Sequence, residues 1–169
     1  MKKVVYAILI LSISFFVYAG GNPEYVKFPQ NYQSEFTQYD TRNRTNGKQV
    51  AVLYANKVAI NTISDSTLSD GSKIIMEVYK TVPGEDGKPT MGDNGIFKKG
   101  NLAAIAVMEK RSDWDANFSV KERAGDWGFA LYNKDGTVKE NKLECASCHS
   151  PMTDKDYLFS HSSLLSFTK

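Results

Sequence analysis

The chain has only two cysteines and two histidines in 169 residues, and its longest apolar run, Val4 to Val17, covers 14. Both cysteines lie in one pentapeptide, Cys145-Ala146-Ser147-Cys148-His149. A disulfide framework is thereby excluded, leaving only a local Cys145–Cys148 bridge open. A zinc site needs a second ligand pair, which His161, the one other histidine, does not supply. The apolar run falls short of the roughly 20 residues that span a bilayer. No Pro/Gly/Ser-rich linker, internal repeat or low-complexity tract divides the chain, and its length suits one core. Net charge is scarce too: 21 Lys and Arg against 19 Asp and Glu. That balance gives no electrostatic reason to expect nucleic acid or an anionic membrane as partner.

What is present begins with Met1-Lys2-Lys3, the apolar run, and the small-residue site Val17-Tyr18-Ala19. This is the pattern of a signal peptide over residues 1–19, with cleavage expected before Gly20. The expectation is one domain over residues 20–169, exported to a bacterial periplasm and free of the membrane. Lys2 and Lys3 leave with the signal, so the mature chain carries 19 basic and 19 acidic residues.

Cys-x-x-Cys alone fits a bridge or half a zinc site, but a histidine directly after the second cysteine makes the haem-attachment signature. Cys145 and Cys148 are then expected to hold one covalent haem c, and His149 to ligate its iron. Export agrees with this, because c-type haem is attached outside the cytoplasmic membrane.

The position of the motif carries further information. Small all-helical electron carriers have it near the N-terminus, whereas here only 20 residues follow His149. Met152 lies three residues on, too close to cross to the distal face. No histidine precedes His149, and His161 is expected on the surface of a C-terminal helix. The distal side must therefore come from the preceding region, as a Met, a Lys or no ligand at all.

That region reads as strands: Lys48 to Tyr54, Lys73 to Lys80, Leu102 to Met108 and Trp127 to Tyr132, with Asn46-Gly47 and Asp70-Gly71 as turns before the first two. Pro83 to Gly100, with five glycines and two prolines, reads as a surface loop. Helical patterns cover Pro29 to Tyr39, Asn56 to Ile63 and Asp154 to Phe167. Trp127 and Phe129 share one strand face, either lining the haem or packing the sheet, and Trp114 is expected at a loop edge. The fold class is mainly β (α+β).

Strands first, then Gly125-Asp126-Trp127-Gly128-Phe129, then the haem motif followed by Thr153-Asp154-Lys155-Asp156-Tyr157-Leu158-Phe159: in this order the chain resembles the cytochrome P-460 family. Phe28-Pro29-Gln30-Asn31-Tyr32 and Ser69-Asp70-Gly71-Ser72 extend the likeness from roughly Phe28 to Leu165. The resemblance implies an antiparallel β-sheet protein, commonly a homodimer, with a five-coordinate haem on the motif histidine. One branch of the family oxidises hydroxylamine and has a lysine cross-linked to its haem. The other, the cytochromes c′-beta, lacks the cross-link and binds gases such as nitric oxide in an apolar pocket.

Counting from Asp70-Gly71 puts Met76 at the cross-linking position, so the resemblance is closer to the c′-beta branch. Lys73 reaches that place only through a three-residue shift. The distal arginine of the hydroxylamine branch falls near Val50, so Met76 and Val50 are together expected to line an apolar distal pocket, and Glu140, in the loop before the motif, is either the one acid that overhangs the haem or a solvated loop residue. Three functions follow: a haem protein binding nitric oxide or related small nitrogen species, an enzyme oxidising hydroxylamine with Glu140 moving protons, and a carrier serving a periplasmic electron donor or acceptor with Met76 as sixth ligand.

Overall fold

A computed structural model describes residues 21–64 and 67–169; the expected signal segment lies outside the described residues. Five strands, β1 (Thr37–Asn43), β2 (Gln49–Ala55), β3 (Lys73–Thr81), β4 (Lys99–Lys110) and β5 (Trp127–Tyr132), form one antiparallel meander in the order β1-β2-β3-β4-β5. Among the described residues four short α-helices accompany it: α1 (Tyr32–Glu35), α2 (Lys57–Thr62), α3 (Cys145–His149) and α4 (His161–Phe167). The mainly-β expectation is met. Among the described residues no helix is long and apolar enough to cross a membrane.

Strand alternation gives the sheet two distinct faces. On one, Ala51, Leu53 and Ala55 of β2, Ile74 of β3, Met108 of β4 and Trp127 and Phe129 of β5 share a core with Tyr39, Ala59, Leu68, Ala146, Leu158 and Leu164. On the other, Ile75, Ile105, Val107, Ala130 and Tyr132 are covered by Val26, Tyr32 and Phe118. Close approach on this second face requires Gly128, where a Cβ would come within 2.7 Å of Val26 and 3.0 Å of Phe118. The motif, Cys145 and Ala146 included, belongs to the first face.

The second face holds a buried acid. Glu77, 1% exposed, accepts from Tyr32 Oη at 2.6 Å, Gln33 Nε2 at 3.1 Å, Tyr54 Oη at 3.1 Å and Tyr79 Oη at 2.9 Å. Burial first, and then Glu77, pushes the Tyr79 phenol up to about 12 and raises Tyr32 and Tyr54 as well. A phenol whose pKa is raised on folding contributes stability that is complete below its unfolded value of about 10 and disappears as pH climbs through the folded value. Unfolding free energy should therefore hold level up to about pH 10 and then fall towards pH 12, in step with tyrosinate absorbance.

Two expectations are corrected here, and the surface-loop expectation is met in ordered form. The helix over Pro29 to Tyr39 is one turn, Tyr32–Glu35, after which Phe36 is extended and Thr37 opens β1. Pairing with β2, and burial of Tyr39 with its hydroxyl 2.6 Å from Ser160 Oγ, outweigh the local helical pattern. The loop Pro83 to Gly100 is ordered as two tight turns, Gly84 N–H to the Lys88 carbonyl at 2.7 Å and Gly92 N–H to the Ile96 carbonyl at 2.8 Å. Gly87 and Gly95, each at φ 75°, supply the left-handed position that both turns need. The C-terminal helix expected over Asp154 to Phe167 begins only at His161, because Asp156 and Tyr157 are both left-handed.

Candidate haem site

Helix α3 is the five-residue turn Cys-Ala-Ser-Cys-His itself. The Cys148 N–H donates to the Glu144 carbonyl at 3.1 Å, and both the N–H and Oγ of Ser150 donate to the Ala146 carbonyl at 2.8 Å. Ala146 points into the core, Cys145 packs beside it, and Cys148 is exposed. Both thiols are free, so the local bridge is not formed. Spacing of three on a helical turn puts them on one side. Burial, reinforced by Cys148, pushes the Cys145 thiol up.

His149 is held from three directions. Its ring lies 4.8 Å from Phe129, tilted, and 4.8 Å from Phe159, edge-on. Its Nδ1 lies 2.6 Å from the Tyr157 carbonyl oxygen. A carbonyl only accepts, so Nδ1 carries the proton and the Nε2 lone pair is left for a ligand. Burial draws the imidazole below its usual pKa, partly countered by that carbonyl, and so favours the neutral, ligating form. The carbonyl is placed by backbone: Met152 N–H donates to the His149 carbonyl at 3.0 Å, and Tyr157 N–H to the Met152 carbonyl at 2.8 Å. Met152 thus acts through its main chain.

The register places the residues singled out in the sequence. Met76 is half-buried on the motif's face, pairing with Leu53 on β2 and Ala106 on β4. It packs against both the core that holds Cys145 and a smaller cluster of Val78, Ala104 and Leu131. Val50 does not join it. Val50 alternates with Ala51 and shares the second face with Val52 and Tyr54, so the two residues grouped as distal lie on opposite sides of the sheet. Ala51, one residue on, has the motif's side. Lys73 also faces away, its Nζ 3.3 Å from Glu109 Oε1, and β3 carries no bulge against β2 that would bring it round. Glu140 is exposed in the segment between β5 and α3.

His161, expected on the surface, is 4% exposed, and among the described residues its Nε2 has no hydrogen-bond partner. The cause is that α4 lies on β1, burying His161 together with Leu164. Phe129 touches the motif histidine, while Trp127 is wholly buried sheet packing. Trp114 holds a loop edge, donating from Nε1 to the Asp126 carbonyl at 2.7 Å beneath the Arg111 guanidinium. Tyr157 and Asp156 also matter to the site, and neither carries a signal of its own in the sequence.

Two thiols on one side of a helical turn, next to an imidazole whose remaining nitrogen is free to ligate and whose flanking surface includes half-exposed Phe159, form a donor set that fits a haem. Sheet and site together define a haem-binding cytochrome. The family model of Cytochrome P460 matches residues 29–160, and the chain belongs to that family. None of the curated proteins matches it.

Proposed function

We propose that the chain is an exported c-type cytochrome with one haem held through thioethers to Cys145 and Cys148, and that it binds nitric oxide or a related small nitrogen species. Each thiol adds across one vinyl group, its sulfur bonding one carbon and its proton going to the other, so no redox partner is consumed. A haem held there would supply the iron that takes up the gas, and His149 would be its protein ligand. The observation that carries this reading is the pinned imidazole together with the apolar cross-strand row Leu53, Met76, Ala106 and Leu131 on the same sheet face. Apolar surroundings favour uncharged diatomic ligands over charged ones.

Gas binding is supported over hydroxylamine oxidation by the placement of Lys73 and Val50 facing away from the motif and of Glu140 in solvent. Residues 1–19 support export to the periplasm, where a redox partner would keep the iron ferrous. Assembly as a homodimer is part of the same reading. Titrating the reduced protein with nitric oxide is expected to move its optical spectrum, saturating at one equivalent per chain. An unmoved spectrum refutes gas binding, and a ferric spectrum with sulfur–iron charge transfer would give Met76 the sixth position instead.

A further inference from the structure

Lys110 closes β4 on the motif's face, and its Nζ lies 2.8 Å from both oxygens of Asp156. Their side chains are 9% and 6% exposed. A buried charge pair needs good geometry and further hydrogen bonds to offset desolvation, and here Asp156 Oδ2 also accepts the Leu68 N–H at 2.9 Å. The lysine is anchored in turn: its N–H donates to the Ser72 carbonyl at 2.9 Å, and its own carbonyl accepts from Gly71 at 2.8 Å. The pair ties the segment after the motif to the end of the sheet.

Asp156, at φ 47°, is the first of two successive left-handed residues, and Tyr157 at φ 58° is the second. For a bulky residue this is an outlier that persists only where the surroundings over-determine it. The Lys110–Asp156 pair holds one side of the bend. Gly125 holds the other, since a Cβ there would lie 2.4 Å from Tyr157 Cε2, so the tyrosine ring rests on that glycine. What the bend delivers is the Tyr157 carbonyl, 2.6 Å from His149 Nδ1.

We propose that Lys110 and Asp156 are positioning residues for the haem ligand, setting the Tyr157 carbonyl against His149 and with it the orientation and donor strength of the imidazole. The proposal rests on His149 being that ligand. A carbonyl drawing on Nδ1–H makes the opposite nitrogen a stronger donor and stabilises the ferric over the ferrous state. Loosening the bend weakens the ligand without removing it.

The test uses the full-length holoprotein, reading the iron–histidine stretch of the ferrous form by resonance Raman together with the midpoint potential. Asp156→Asn and Lys110→Met are each expected to move the stretch to lower wavenumber and to cost about tenfold in ferric preference, about 59 mV upward in potential. Lys110→Arg, which keeps the ion pair, should restore the parent values. Variants that melt earlier but keep the parent stretch and potential overturn the proposal, because the pair would then only stabilise the fold. Should neither variant yield holoprotein, Lys110→Gln decides: it keeps a hydrogen-bond donor towards Asp156 but removes the charge, so a moved stretch upholds positioning and an unmoved one overturns it. If the unaltered protein shows no iron–histidine stretch, the assignment of His149 falls and takes this proposal with it.

Discussion

Glu77→Ala is expected to lower the unfolding free energy by about 3–5 kcal/mol, with no change in the spectrum of the bound haem. The carboxylate sits in the central strand at 1% exposure and is the common acceptor for Tyr32, Gln33, Tyr54 and Tyr79. Removing it leaves the buried Tyr32 hydroxyl without its partner at about 1–3 kcal/mol. The half-buried Tyr54 and Tyr79 regain water and lose less, while the vacated volume adds a cavity cost. Glu77→Gln keeps the volume and one acceptor oxygen, so about 1–2 kcal/mol is expected. Denaturant unfolding with an unchanged m-value is the measurement. A cost under about 1 kcal/mol would mean that water already reaches these hydroxyls. The haem spectrum should stay constant because Glu77 and the motif lie on opposite faces of the sheet.

The distinction between faces also explains what could be read from the sequence. The attachment motif is a local pattern: two thiols and an imidazole within five residues stand out whatever surrounds them, and they fold as one helical turn. Strands β2, β3, β4 and β5 are legible because their apolar runs are bounded by turns or short polar segments. Val50 was misplaced for a matching reason, since an ungapped count that errs by one residue moves a side chain to the other face. Strand β1 escaped because it is an edge strand with a single buried residue, Tyr39, and therefore no alternation to detect. Tyr157 was invisible as a functional residue, for it acts through a carbonyl, and a backbone group has no letter in the sequence. Asp156 and Lys110 are 46 positions apart, and only the fold makes them partners.

With the haem held as proposed, His149→Ala should abolish the iron–histidine stretch altogether while leaving the haem attached through Cys145 and Cys148. The ring that is removed lies between Phe129 and Phe159, each 4.8 Å away, and ends on the Tyr157 carbonyl at 2.6 Å. Deleting it leaves a space with aromatic walls and one acceptor, whose shape and polarity match free imidazole. Because the Tyr157 carbonyl is held by the Met152 turn and the Asp156 bend and not by the histidine, it survives the substitution. Added imidazole at millimolar levels is then expected to enter, donate a hydrogen bond to that carbonyl, and restore both the stretch and the nitric oxide response. Methylation at one nitrogen removes the donor, so 1-methylimidazole should bind but give a weaker stretch, in the direction expected for Asp156→Asn. Rescue by imidazole with no difference between the two ligands would locate the donor strength in the ring alone. Failure of either to restore the stretch would show that the pocket collapses once His149 is gone, making the histidine a part of the packing between Phe129 and Phe159 as well as a ligand.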